Sequence, residues 1–300
     1  MASVQANGIR IEYESLGEAS AAPILLVMGL GMQLVAWPDS FCQGLVDRGF
    51  RVIRFDNRDC GLSTKIRATK RTNLMLSLAA AWLGLPVRAP YMLDDMAADA
   101  VGLLDALEIA QAHVVGVSMG GMIAQVAAAR YPRRVLSLTS IMSSSGNRKA
   151  SRAKPKALQA LLSKPPDPND PDRVVEHLVG VFGVIGSPGY PTERAELKRM
   201  LARSVHRSYY PAGTARQLVA VVASGDRRAL LKRIAVPTLV IHGAADPLVP
   251  VEAGRDTARH IAGAKLLVIE GMGHDLAPGV QPLLVEAIAS HCGASAAVVS

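Results

Sequence analysis

The sequence predicts an α/β fold: a mostly parallel, twisted sheet flanked by helices, with an inserted helical cap. Three observations carry this. Short, continuously apolar runs recur at 24–28, 50–55, 113–117, 136–142, 238–241 and 265–269, as strands buried on both faces require. Segments with apolar spacing near the helical period separate most of them, the alternation of a parallel sheet covered on both sides. One interval of about 90 residues, between Met142 and Thr238, breaks the alternation and is too long for a simple connection.

Along the chain, Asn7-Gly8 is a turn signal, and residues 8–14 then alternate Ile9, Ile11 and Tyr13 with polar residues. That is a half-exposed antiparallel strand, expected at a sheet edge. The run at 24–28 (ILLVM) opens the parallel part. Helices are expected over 39–48, 94–107, 119–130, 251–261 and 281–291. Within the long interval, 164–171 reads KPPDPNDP, and 216–233 reads as one ordinary helix of the core. We assign 146–211 to the cap, and 1–145 with 212–300 to the core. A smaller insertion over 65–90 contains the apolar stretch 74–85 with Trp82, which fits a lid helix or a helix packed on the core equally well.

With 300 residues, half of them hydrophobic, the chain can bury a large core without disulfides or metals. Its cysteines, Cys42, Cys60 and Cys292, are odd in number and match no zinc spacing, so a reducing, cytoplasmic setting is expected. No signal-peptide pattern precedes residue 8, and no apolar run spans a bilayer. The net charge is +8, but Lys and Arg are spread rather than gathered on one element. Neither nucleic acid nor membrane is therefore an expected partner, and the chain is expected as a monomer or homodimer.

Gly116-Val117-Ser118-Met119-Gly120 follows one apolar run and opens a helix. A strand–turn–helix with small residues on both sides of a serine is a nucleophile elbow. It holds Ser118 Oγ at the strand tip and aims the Met119 N–H at a developing negative charge. A serine hydroxyl needs a base. Of seven histidines, His274 follows the run 265–269 through Gly271-Met272-Gly273, which brings it to the same sheet edge. His242, ending its own strand, reads as structural. The base needs a carboxylate to fix its tautomer, and Asp246, directly after the run 238–241, supplies it. Asp275 is expected to point elsewhere. The second oxyanion donor is assigned to the Leu30 N–H, which Gly29 lets turn into the site.

These motifs resemble the α/β-hydrolase superfamily over nearly the whole chain except the cap. Met28-Gly29-Leu30-Gly31 is similar to its oxyanion loop, with Met28 where His is usual. Residues 56–63 (DNRDCGLS) resemble its Asp-x-Arg-x-x-Gly-x-Ser segment. The elbow, the acid loop and the Gly-x-Gly-His segment complete the set. Within the superfamily, Val27-Met28-Gly29, Trp37-Pro38-Asp39 and Asn57-Arg58-Asp59 are similar to aclacinomycin methylesterases and related bacterial carboxylesterases. The resemblance implies a hydrolase without metal or cofactor, roofed by a helical cap. Ser rather than Asp at 118 argues against dehalogenases and epoxide hydrolases.

The expected function is a serine carboxylesterase acting on small to medium hydrophobic esters through an acyl-enzyme on Ser118. Gly29, Trp37, Met122, Met142 and Met272 are assigned to the substrate pocket, because methionine adapts to irregular ligands. Another activity on this scaffold (C–C bond hydrolase, lactonase, amidase or perhydrolase) stays open, as does a ligand-binding protein without turnover.

Overall fold

The computed structural model describes residues 1–67, 74–83 and 85–296. Its eight strands are β1 (Ala2–Ala6), β2 (Ile9–Leu16), β3 (Ala22–Val27), β4 (Phe50–Phe55), β5 (Ala112–Val117), β6 (Val135–Ile141), β7 (Thr238–Gly243) and β8 (Lys265–Ile269), in one sheet of order β1-β2-β4-β3-β5-β6-β7-β8. β1 and β2 pair antiparallel with each other, and β2 with β4; every later pairing is parallel. The helices are α1 (Asp39–Val46), α2 (Leu74–Trp82), α3 (Leu93–Ala106), α4 (Met119–Arg130), α5 (Pro155–Leu162), α6 (Pro171–Ile185), α7 (Arg194–Arg207), α8 (Pro211–Ser224), α9 (Arg228–Leu231), α10 (Val251–Arg259) and α11 (Gln281–Ala296).

The period-2 geometry of a strand divides the core. Leu25 and Val27 of β3 face α3 and α4, in a cluster with Val114, Leu103 and Ile123. Ile24 and Leu26 face the opposite way, onto Phe41 and Leu45 of α1 and Leu284 and Ile288 of α11. From Ile24 to Val27 both faces of β3 are thus dry, which is why that stretch is continuously apolar.

β3 lies between β4 and β5, so the chain winds outward from it in both directions. Where strand order reverses, the loops beyond the carboxyl ends of neighbouring strands part and leave a crevice. The loop after β3 carries Gly29 and Leu30, and the turn after β5 carries Ser118.

Three sequence-based expectations change. The leading antiparallel strand is not the edge: β1 pairs outside it through a turn at Asn7 (φ 47°) and Gly8 (φ 76°), the tight hairpin that Asn-Gly favours. β8 forms the other edge and is half-exposed rather than buried. The segment 216–233 is two helices, because Gly225 at φ 55° ends α8 before α9 begins. Leu74–Trp82 is helical and packs chiefly against α8, while parts of the 65–90 insertion lie outside the described residues.

Between β6 and β7, α5, α6 and α7 pack in sequence on one another, with Val174, Val175, Val179, Leu201 and Val205 as a small apolar cluster of their own. Buried ion pairs tie the end of this group and α8 to the sheet. Arg207 meets Asp56 at 2.7 Å, and Arg216 meets Asp59 at 2.7 Å. No described helix is long and apolar enough to cross a membrane.

Candidate active site

Ser118 stands between β5 and α4 with φ 54° and ψ −120°, a conformation that a side-chain-bearing residue adopts only when its surroundings enforce it. The enforcing contacts are explicit. Its N–H donates to the Ile141 carbonyl at 2.9 Å. Its carbonyl accepts from the Met122 N–H at 3.2 Å and from Ser143 Oγ at 2.8 Å. The flanking glycines permit the turn: a Cβ on Gly116 would lie 2.2 Å from the Gly120 carbonyl oxygen, and one on Gly120 would lie 2.0 Å from that of Val27.

His274 Nε2 lies 2.9 Å from Ser118 Oγ, and His274 Nδ1 lies 2.7 Å from Asp246 Oδ2. A carboxylate can only accept, so Nδ1 carries the proton and Nε2 is left to accept from the serine hydroxyl. Asp246 is buried and fixed by its other oxygen, which accepts the Leu248 N–H at 2.9 Å and the Val249 N–H at 2.8 Å. The three residues come from the ends of β5, β7 and β8, brought together by the parallel sheet.

The other titratable candidates are engaged elsewhere. His242 is fully buried, and its Nε2 donates to the Val249 carbonyl at 2.7 Å. Burial pushes its pKa down, which keeps it neutral 3.8 Å from Asp246. Asp275 turns toward Ser187 rather than His274. Asp56 and Asp59 accept from Arg207 and Arg216.

The loop after β3 lies directly against the serine: a Cβ on Gly29 would sit 3.3 Å from that of Ser118. Asn57 Nδ2 holds the Met28 carbonyl at 2.9 Å, and Gln217 Oε1 accepts the Gly31 N–H at 2.8 Å. Among the described residues no hydrogen bond takes up the N–H of Leu30 or of Met119, and both residues line the cavity over Ser118.

That cavity measures about 580 Å³, within the range of small-molecule sites. Its floor includes Gly29, Leu30, Ser118, Met119 and His274, and its roof comes from α5 to α8 through side chains such as Leu158, Val181, Leu201 and Leu218. Gly29, Met122 and Met142 line it, as do Met28, Met32 and Met200. Trp37 and Met272 do not, which corrects their assignment to the pocket. Trp37 is fully buried and stacks on Phe41 at 5.2 Å, and Met272 packs into the same face of the sheet, behind the loop it belongs to. No group of three or more potential metal ligands converges among the described residues.

A model of the alpha/beta hydrolase fold family matches residues 22–277. The chain belongs to the alpha/beta hydrolase fold family. Among its relatives in that family, rhodomycin D methylesterase of Streptomyces peucetius is 29% identical over 94% of both chains. The 3-oxoadipate enol-lactonase 2 of Acinetobacter baylyi is 26% identical, over 89% of this chain and 88% of its own. In structure, the enol-lactonase from Burkholderia xenovorans superposes with a TM-score of 0.73 at 22% identity, covering 97% of this chain and 99% of that one, a likeness of fold. Family membership and the methylesterase relatives support a hydrolase acting on ester bonds.

Sequence reasoning missed several residues that shape this alpha/beta hydrolase site. Gln217 reaches the loop after β3 from α8. Ser187 and the Ile185 carbonyl hold the loop that carries His274. Asn57 was visible only as part of a motif, not as the brace of Met28. Each acts across a distance in sequence that no local pattern encodes.

Proposed function

We propose that this chain is a serine carboxylesterase that hydrolyses small to medium hydrophobic esters through an acyl-enzyme on Ser118. The observation that carries the reading is the relay Ser118 Oγ–His274 Nε2 at 2.9 Å and His274 Nδ1–Asp246 at 2.7 Å, on the floor of a mostly apolar cavity. As Ser118 attacks the ester carbonyl, His274 accepts its proton, and buried Asp246 stabilises the imidazolium and its orientation. The carbonyl oxygen becomes negative and takes the unengaged Leu30 and Met119 N–H groups, preorganised donors of the kind worth about 10²–10³ in rate each. His274 then protonates the leaving alcohol, and the same nitrogen activates water against the acyl-enzyme.

The methylesterase relatives favour an ester over the enol-lactone and the 2-hydroxymuconate semialdehyde in the names of other relatives. In this reading residues 146–211 form a cap whose helices supply the apolar roof, and three free, buried cysteines fit a cytoplasmic enzyme. Steady-state rates on matched methyl and p-nitrophenyl esters, an enol-lactone and a vinylogous diketone test it. Ester kcat/KM is expected to exceed the others by about tenfold or more, 1.4 kcal/mol of transition-state preference. A lactone or diketone turned over faster than every ester contradicts it.

A further inference from the structure

The cap segment from the last residue of α6 to Gly189 grips the His274 loop. The His274 N–H donates to the Ile185 carbonyl at 2.7 Å, and the Gly189 N–H to the Gly271 carbonyl at 2.9 Å. Between them, Ser187 Oγ accepts the Gly273 N–H at 2.8 Å and donates its one proton to Asp275 Oδ1. Ser187 is 4% exposed. The two backbones run so close that a Cβ on Gly273 would lie 2.2 Å from the Gly186 carbonyl oxygen. The residues before and after His274 are thus fixed through one hydroxyl.

We infer that Ser187, through Gly273 and Asp275, is a positioning residue for His274, so that the cap segment sets the aim of the base as well as roofing the cavity. The inference rests on the reading of Ser118 and His274 given above. Three features support it. First, a single hydroxyl bonds both sides of the histidine, so its loss weakens the hold on both at once. Second, the Asp275 carboxylate is drawn into the cavity wall, where burial raises its pKa and Ser187 is the neighbour that most opposes the rise. With the hydroxyl removed, only the Ser187 backbone N–H still serves that carboxylate, and the loop must shift to solvate it further. Third, α6 carries Leu178, Val181, Phe182 and Ile185 into the cavity. A ligand that moves α6 therefore moves the loop with it.

The test compares wild type with Ser187→Ala, Ser187→Thr and Asp275→Ala in the full chain. It reads melting temperature, ester kcat and KM, and the second-order rate of Ser118 labelling by a fluorophosphonate. Misaiming the base is expected to lower kcat and the labelling rate of Ser187→Ala by about tenfold, with KM within about twofold. Ser187→Thr, which keeps the hydroxyl, is expected to recover most of the rate. Asp275→Ala breaks the same bond from its half-exposed side, and it serves if Ser187→Ala does not fold. A folded Ser187→Ala or Asp275→Ala that labels at the wild-type rate overturns the inference. Wild type that fails to label at Ser118 overturns the esterase reading, and this inference with it.

Discussion

Asn57 donates its side-chain amide to the Met28 carbonyl at 2.9 Å, and both residues are buried. Met28 is the residue from which the loop bearing Gly29 and Leu30 departs. The side chain of Met28 cannot brace that loop by hydrogen bonding, so Asn57 does it from the loop after β4. Asn57→Ala leaves a buried carbonyl without a partner, a cost of about 1–3 kcal/mol. The expected result is a protein of lower melting temperature whose kcat falls more than its KM rises. Unchanged kcat in a folded variant would remove Asn57 from the account.

Gly120→Ala is expected to be severely damaging, because its Cβ would press on the Val27 and Met28 carbonyl oxygens at 2.0 and 2.7 Å, both backbone atoms. Overpacking of this kind costs about 3 kcal/mol or more, and α4 must retreat from β3, carrying Met119 with it. Gly180→Ala is the control. It lies in α6 with no atom within 4 Å of the added Cβ, and it is expected to be neutral or stabilising by up to about 1 kcal/mol. Urea midpoints and ester turnover of the two variants check the contrast.

Asp246→Asn keeps an acceptor for the Leu248 and Val249 N–H groups while removing the charge that fixes the His274 tautomer. Folding is expected to survive, with kcat lower by up to about 10⁴. A kcat within tenfold of wild type would mean that another acid serves the base.

Stability is expected to fall as pH drops from about 6.5 toward 4, because His113 and His242 are buried neutral and His291 is half-buried. Burial pushes the His113 pKa down to about 4, and His242 and His291 shift in the same direction. The unfolded chain takes up the His113 proton near pH 6.5, whereas the native state resists until about 4. Through that window the unfolded state binds more protons, so the contribution is intact above it and lost as pH falls. For His113 alone the loss is about 3 kcal/mol at most. Urea midpoints between pH 7 and 4.5 are expected to decline less steeply for His113→Asn, which can still bond Ser137. Parallel declines would contradict this.

The parts of the site legible in the sequence are those with a local signature. Ser118, Asp246 and His274 each follow an apolar run directly, and a parallel sheet must gather such residues at one edge. Gly116 and Gly120 announce a turn that only close backbone approach explains. What was not legible depends on where side chains point once elements pack. Trp37 and Met272 lie in segments next to the site, yet both turn into the sheet face beneath it. β1 was missed because Ala-Ser-Val-Gln-Ala has no strand pattern of its own and is held by its ladder with β2. Ser187 was missed because its partners lie more than 80 residues away in sequence.

The proposed function stands on Ser118 being a nucleophile activated by His274. Fluorophosphonate labelling with peptide mapping, on wild type, Ser118→Ala and His274→Ala, tests it most directly. Stoichiometric phosphonylation of wild type at Ser118 is expected, with none of Ser118→Ala and labelling of His274→Ala slowed by about 10³ or more. A folded wild type that is not modified at Ser118, or a His274→Ala variant modified at the wild-type rate, would contradict it.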